Sequence, residues 1–304
     1  NAPMPLDVPN DASKRVLIVD DEPVVCDVVS RLLVNEGLMV DQAESAEQAL
    51  ELLRIHRYAL LVADKNLPKM SGLQLVAVAR QQQPFIESVV ITGFPSPESL
   101  LWAFAAGASD YLTKPFSDLR VTRAKLKAAV ARFVRRASGA AETSVAREAA
   151  EVIMNAPHTP RPALDLLQGA LKRYEAAIAE PSGTVALVGA NQLAPLLRQS
   201  GLLVVEPPTQ ADVVLVPSAA ADWRERVRAL KAAAQPPTVV LVAEPGLGLD
   251  ELLEALDMAA EIAPAPQSDP NALTDRVKAL LSQKGVERAQ EGLVRALQEL
   301  RAAA

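Results

Sequence analysis

Ala63-Asp64-Lys65-Asn66-Leu67-Pro68-Lys69-Met70-Ser71-Gly72 is the stretch on which the reading of this chain turns. It follows an apolar run, Tyr58 to Ala63, of the kind that forms a strand buried on both faces of a parallel sheet. The Asp64 carboxylate then emerges at the C-terminal end of that strand, the edge where open α/β sheets build their sites. Other apolar runs end in equally competent groups. Arg15-Val16-Leu17-Ile18-Val19 runs into Asp20 and Asp21, Ser88-Val89-Val90-Ile91 into Thr92, and Tyr111-Leu112-Thr113 into Lys114-Pro115.

Three carboxylates at one sheet edge repel one another and hold protons more tightly unless a cation joins them. Oxygen-only ligation with room for water and phosphate suits Mg²⁺. The Thr92 hydroxyl can bond a phosphoryl oxygen, and the Lys114 ammonium can neutralise it as a point charge. Taken singly, an acid pair is a helix cap, a threonine is core and Lys-Pro is a loop. Jointly, each at a strand's end, they describe an aspartate that accepts a phosphoryl group.

Residues 14–136 resemble the receiver domain of bacterial two-component response regulators. The residues carrying the resemblance are Val19-Asp20-Asp21-Glu22-Pro23, Asp64 with Leu67-Pro68 and Ser71-Gly72, Thr92-Gly93, and Gly107-Ala108-Ser109-Asp110-Tyr111-Leu112-Thr113-Lys114-Pro115-Phe116. The resemblance implies a flavodoxin-like fold of five parallel strands and Mg²⁺-dependent transfer of phosphate from a histidine kinase or phosphotransfer protein to Asp64. Asp20, Asp21, Asp64 and the backbone carbonyl of Asn66 are then the metal ligands, and Thr92 and Tyr111 the switch pair. Phosphorylation adds roughly −1.5 to −2 charges and three acceptor oxygens. Thr92 is drawn toward them and Tyr111 turns inward, a shift between two packings. Gly93 leaves the route to phosphorus open, while Asn66 and Phe94 flank it and are expected to set the lifetime of the acyl phosphate.

The chain has 304 residues, half of them apolar, and a net charge of −6, which suits a two-domain protein with real cores. No apolar run approaches the roughly 20 residues of a membrane span. The opening Asn1-Ala2-Pro3-Met4-Pro5 lacks the pattern of a secretion signal, and an initiator methionine is missing, as in a trimmed chain or fragment. The single cysteine, Cys26, lies among valines and reads as a small core residue. A reducing cytoplasm is the expected setting.

Residues 182–283 repeat the strand–helix rhythm with Val185-Ala186-Leu187-Val188, Leu202-Leu203-Val204-Val205, Val213-Val214-Leu215-Val216 and Val239-Val240-Leu241-Val242. Laid over the first domain, Gly189-Ala190 stand at the Asp20-Asp21 position and Pro217 or Ser218 near the Asp64 position. Ala243-Glu244 fall near Thr92-Gly93, while Ile262 and Ala265 replace Tyr111 and Lys114. The rhythm survives and the chemistry does not, so this half reads as a pseudo-receiver serving docking or dimerisation. Its glycines complete no phosphate-loop motif.

The expected fold class is therefore α/β, two flavodoxin-like (βα)5 receiver-type domains joined by a helical linker. The expected divisions are a flexible segment 1–13, a receiver 14–136, a linker 137–181, a pseudo-receiver 182–283 and a terminal helix 284–304. Helices are predicted from Asp118 to Arg136, from Ala141 to Asn155 and from Ala163 to Ala179. His158, between prolines, lacks the helix that a phospho-histidine needs, and His56 reads as a turn residue. The basic run Arg120, Arg123, Lys125, Lys127, Arg132, Arg135 and Arg136 fits an acidic protein surface, with Arg120 and Arg123 as interface candidates alongside an outward Trp102. Nucleic acid is not expected, because no reading module is present. The functional expectation is a phosphorelay regulator rather than an enzyme, switching association with itself or a downstream partner. The alternative is the regulatory part of a longer enzyme such as a diguanylate cyclase, reached through the stripe Leu293, Leu297 and Leu300.

Overall fold

The structure is a computed structural model that describes residues 14–156, 160–179, 183–258, 260–268 and 271–303. The segment 1–13 and His158 lie outside the described residues. The chain divides into two units between Ser138 and Gly139.

The first unit alternates strands and helices throughout: β1 (Arg15–Val19), α1 (Pro23–Val34), β2 (Met39–Ala43), α2 (Ala46–Ile55), β3 (Leu60–Asp64), α3 (Gly72–Gln82), β4 (Glu87–Thr92), α4 (Pro97–Ala105), β5 (Asp110–Thr113) and the start of α5 (Leu119–Asn155). The sheet is fully parallel in the order β2-β1-β3-β4-β5. Every residue of β3 and β4 is buried, as expected of central strands covered on both faces. Cys26, Val29 and Leu33 of α1 and Leu126, Ala129, Val130 and Phe133 of α5 share a core with Val16, Ile18, Val62, Val89 and Ile91. Each large side chain so buried contributes about 1.5–3 kcal/mol.

Serines start three of the helices. Ser45, Ser71 and Ser96 accept the backbone N–H groups of Gln48, Gln74 and Ser99, satisfying donors that a helix start leaves bare. Those caps fix where each βα loop ends, and so where the strand-end side chains stand.

The second unit holds the rest of α5, then α6 (Arg161–Ala179), β6 (Thr184–Leu187), α7 (Ala194–Gln199), β7 (Leu203–Val204), β8 (Val213–Pro217), α8 (Trp223–Lys231), β9 (Thr238–Ala243), α9 (Leu249–Asp257), β10 (Glu261–Pro264) and α10 (Ala272–Ala303). Its sheet is parallel in the order β10-β9-β8-β6-β7. Counted within the unit, that is the first sheet's order. One helix of the alternation is missing, since β7 and β8 are joined through a single 3-10 turn, Pro208–Gln210.

The linker and terminal helix expected at 137–181 and 284–304 share a core inside this unit. Ala146 and Ala150 of α5, Leu167 and Ala170 of α6, and Leu293 and Ala296 of α10 pack together, with Leu297 and Leu300 against them. The break predicted between Arg136 and Ala141 does not occur, and α5 runs unbroken through Ser138 and Gly139. One glycine inside a helix costs only about 1 kcal/mol relative to alanine, which flanking alanines and tertiary packing offset.

Candidate functional site

Asp20 follows β1, Asp64 ends β3, Thr92 ends β4 and Lys114 follows β5, so the sheet order brings all four to one C-terminal edge. The Lys114 Nζ lies 2.9 Å from Asp20 Oδ2, 3.0 Å from Asp64 Oδ1 and 2.9 Å from Glu22 Oε1. Asp20 and Asp64 are buried, whereas Asp21 is exposed. Burial alone would lower the Lys114 ammonium, but hydrogen bonds to Asp20, Glu22 and Asp64 outweigh it and raise its proton affinity. It is a fixed cation. Burial raises the Asp20 carboxyl above its ordinary range, against the hydrogen bonds from Lys114 and the Glu22 N–H, with Asp64 adding repulsion.

The loop after β3 is shaped around the Asp64 carboxylate. Asn66 N–H donates to Asp64 Oδ2 at 2.5 Å, and Gly72 N–H donates to the Lys65 carbonyl at 3.1 Å. A Cβ on Gly72 would stand 2.0 Å from the Asp64 carbonyl oxygen, so only glycine lets α3 begin this close to the loop. Space is open around Gly93, beside Thr92.

Tyr111 is inward and buried, its hydroxyl 2.7 Å from Ser99 Oγ. Thr92 is fully buried, and its Oγ1 accepts the Phe94 N–H at 3.2 Å. Ser99 carries no sequence signal, since a serine near a helix start looks like a surface cap until the fold lays it against β5.

Among the described residues, no group of three His, Cys, Asp or Glu side chains is gathered closely enough to hold a metal by itself. The donor set nevertheless suits a hard cation completed by water and phosphate. Asp20 Oδ2 is buried against the Lys114 ammonium, Asp64 stands beside it, and Asp21 is adjacent and solvated. The Cys26 thiol is pushed up to about 11 by burial and takes no part.

Trp102 does face solvent, 64% exposed. Several cations of α5 are engaged within their own unit. Arg132 and Arg136 hold the buried Glu87, Lys125 holds Asp110, and Arg123 and Lys127 share Glu36. Arg120 pairs with the neighbouring Asp118 at 3.5 Å and stays exposed.

At the matching edge of the second sheet, Gly189 follows β6 with φ +77°, its Cβ space taken by the Arg226 guanidinium. Ser218 Oγ accepts the Glu244 N–H at 2.9 Å, and Ala265 is fully buried.

Residues 16–127 match the family described as response regulator receiver domain. Those residues therefore form a receiver domain of the kind found in response regulators. It is 28% identical over 141 residues to the cell cycle transcriptional regulator CtrA of Caulobacter vibrioides, covering 46% of this chain and 58% of that protein. It is 37% identical over 102 residues to the probable transcriptional regulatory protein TcrX of Mycobacterium tuberculosis, covering 34% of this chain and 44% of that protein. The match thus spans about half the length of these relatives. A solved CheY-like receiver domain protein from Methanospirillum hungatei is 30% identical, covering 40% of this chain and 98% of its own, with a TM-score of 0.39. Among the described residues, no helix is long and apolar enough to cross a membrane.

Proposed function

We propose that Asp64 accepts a phosphoryl group from a histidine kinase or phosphotransfer protein, and that this reaction controls protein–protein association. One observation carries the reading: a single ammonium, Lys114, held about equally by Asp20 and Asp64 at the C-terminal edge of the first sheet. An Asp64 oxygen attacks phosphorus and the bond to the donor nitrogen breaks. The donor imidazole keeps the electron pair and takes up a proton. Lys114 neutralises charge on the transferred group and Thr92 bonds one of its oxygens, so the protein supplies position and electrostatics rather than a general base. Asp20, Asp21, Asp64 and the Asn66 carbonyl would hold Mg²⁺, which supplies further charge neutralisation. The chemistry is self-catalysed transfer and hydrolysis, without turnover of a separate substrate.

The second unit reads as a receiver-type domain stripped of that chemistry, kept for docking or dimer formation in the cytoplasm. Its strand order supports this, as does an arginine filling the space beside Gly189. The leucine stripe of α10 packs inside the unit, so it lends no weight to a lead toward a cyclase. DNA binding does not transfer from relatives matched over half their length.

Incubation with acetyl phosphate and magnesium, followed by mass spectrometry, tests the reading. One phosphoryl group per chain is expected on the peptide carrying Asp64, lost in Asp64→Asn. An unmodified protein, or label within residues 139–304, overturns it.

A further inference from the structure

An open parallel sheet offers a crevice where its strand order reverses, outside the carboxyl ends of the strands on either side. In the second unit that point lies between β6 and β8, because β6 pairs with β7 on one side and with β8 on the other. The groups standing there are donors rather than acids. Leu187 lies level with Leu215, so Gly189 and Ser218 follow adjacent strands about 4.8 Å apart. Ser218 Oγ accepts the Glu244 N–H at 2.9 Å, and its own hydrogen goes to no described residue. The Gly189 N–H likewise meets no acceptor among the described residues. Over Gly189 lies the Arg226 guanidinium of α8, both terminal nitrogens within 4 Å of where a Cβ would stand. Asp222, one turn earlier, grips its Nε at 2.8 Å, so the terminal nitrogens stay turned toward Gly189. The other arginines of that helix are engaged elsewhere, Arg224 with Glu251 and Glu254 of α9 and Arg228 with Glu254.

We propose that this edge of the second unit binds a phosphate group, free or carried as a monoester, with Arg226 as its principal ligand and Ser218 and the Gly189 N–H as further donors. The planar guanidinium fork matches two oxygens of one phosphate, and a charge-assisted pair of that kind is stronger than a neutral hydrogen bond. A third oxygen is left for the Ser218 hydroxyl and the Gly189 N–H. A carboxylate has only two oxygens and leaves those donors unmet. The pocket is open as well, since Gly189 is exposed and Ser218 half-buried. Glycine is needed at 189 because a side chain there would displace the guanidinium, and because its φ is +77°. The two edges are thus opposite in kind: the first gathers acids around one ammonium, and the second gathers donors around an unfilled space. The inference goes beyond a docking role for the second unit and does not depend on phosphorylation of Asp64.

The test is titration of the isotope-labelled full chain with inorganic phosphate and with phenyl phosphate, free of magnesium and at constant ionic strength, followed by nuclear magnetic resonance. The Gly189 amide and the Arg226 side-chain N–H resonances should move and saturate, while acetate should leave them near their starting positions. Tighter binding of phenyl phosphate would assign a carried phosphate, and equal or weaker binding a free one; either supports the site. Arg226→Ala should weaken binding at least about tenfold, as expected for loss of a charged donor. Arg226→Lys keeps the charge without the fork and should restore only part of it. Shifts that never saturate in the wild-type chain overturn the proposal, and this reading needs no variant to fold. Acetate that binds as well as phosphate, or an Arg226→Ala chain that binds as the wild type does, overturns it too.

Discussion

At the C-terminal edge of the first sheet stand Asp20, Asp64, Thr92 and Lys114; at the same strand positions of the second stand Gly189, Pro217, Ala243 and Ala265. The strand order is shared, and the central strands of both sheets are almost wholly buried. What builds the sheet and what builds the site are thus separate sets of residues. Interior valines and leucines specify the order, because parallel strands must bury both faces. Asp20, Asp64, Thr92 and Lys114 stand outside the apolar core cluster of the first unit, so those positions can change without unfolding the sheet. The second edge holds no such cluster of acids among the described residues, and so none of the self-repulsion that Asp64 adds to the burial of Asp20.

The largest expected effect breaks the comparison at its chemistry. Lys114→Ala removes the cation between Asp20 and Asp64 and should slow phosphoryl uptake from acetyl phosphate by about 10²–10³-fold, the usual scale for one preorganised charge-stabilising group. Ala265→Lys in the second unit should gain no labelling, since no Asp64 equivalent stands beside it. Rates from phosphoprotein gels would show it, and a slowing of less than about threefold would remove Lys114 from the mechanism.

Next comes the core of the second unit. Trp223 is buried, with the Arg224 guanidinium 4.5 Å from its ring centre. Trp223→Ala should cost about 3–5 kcal/mol. Hydrogen exchange should loosen across β8 and β9 while labelling of Asp64 persists. Loss of labelling would mean that the second unit bears on the chemistry of the first.

Gly72→Ala probes the loop rather than the charge. Its Cβ would clash with the Asp64 carbonyl, forcing backbone movement worth about 1–3 kcal/mol. A lower denaturant midpoint with slowed labelling is expected. An unchanged midpoint would mean that the loop is slack.

How much of this was legible depended on burial. β1, β3, β4 and β5 announced themselves as apolar runs because both faces are covered. β2 did not: Met39-Val40-Asp41-Gln42-Ala43 is a half-exposed edge strand whose Asp41 pairs with Arg15 and accepts the Tyr58 hydroxyl. Asp20, Asp64, Thr92 and Lys114 could be placed from sequence, since each sits at the end of a readable strand. The partners of Lys114 could not. Glu22 reaches the ammonium while Asp21 stays in solvent, a choice made by the turn into α1. The continuity of α5 was hidden by Ser138-Gly139, because local propensity reads as a boundary what packing carries through. Ser99 was invisible for the opposite reason, its meaning coming entirely from β5.

The smallest effect concerns what the acidic edge costs the fold. Burial raises the Asp20 proton affinity in the folded chain above its unfolded value near 3.8. The sign is therefore opposite to that of an ordinary salt-bridged carboxylate. Below the unfolded value both states are protonated and Asp20 costs nothing. As pH rises through the folded value, the unfolded chain ionises freely while the folded one does so against desolvation, so stability is lost and stays lost at neutral pH. Asp20→Asn cannot ionise, and should raise Tm by a few degrees near neutrality, with the gain fading in acid. Millimolar magnesium should stabilise the wild type and not the variant, since only the former keeps the buried oxygen that a cation would use. Melting curves across pH would decide it. A variant less stable than the wild type at neutral pH would mean that the Lys114 pairing outweighs burial, and that the first edge is no more costly to fold than the second.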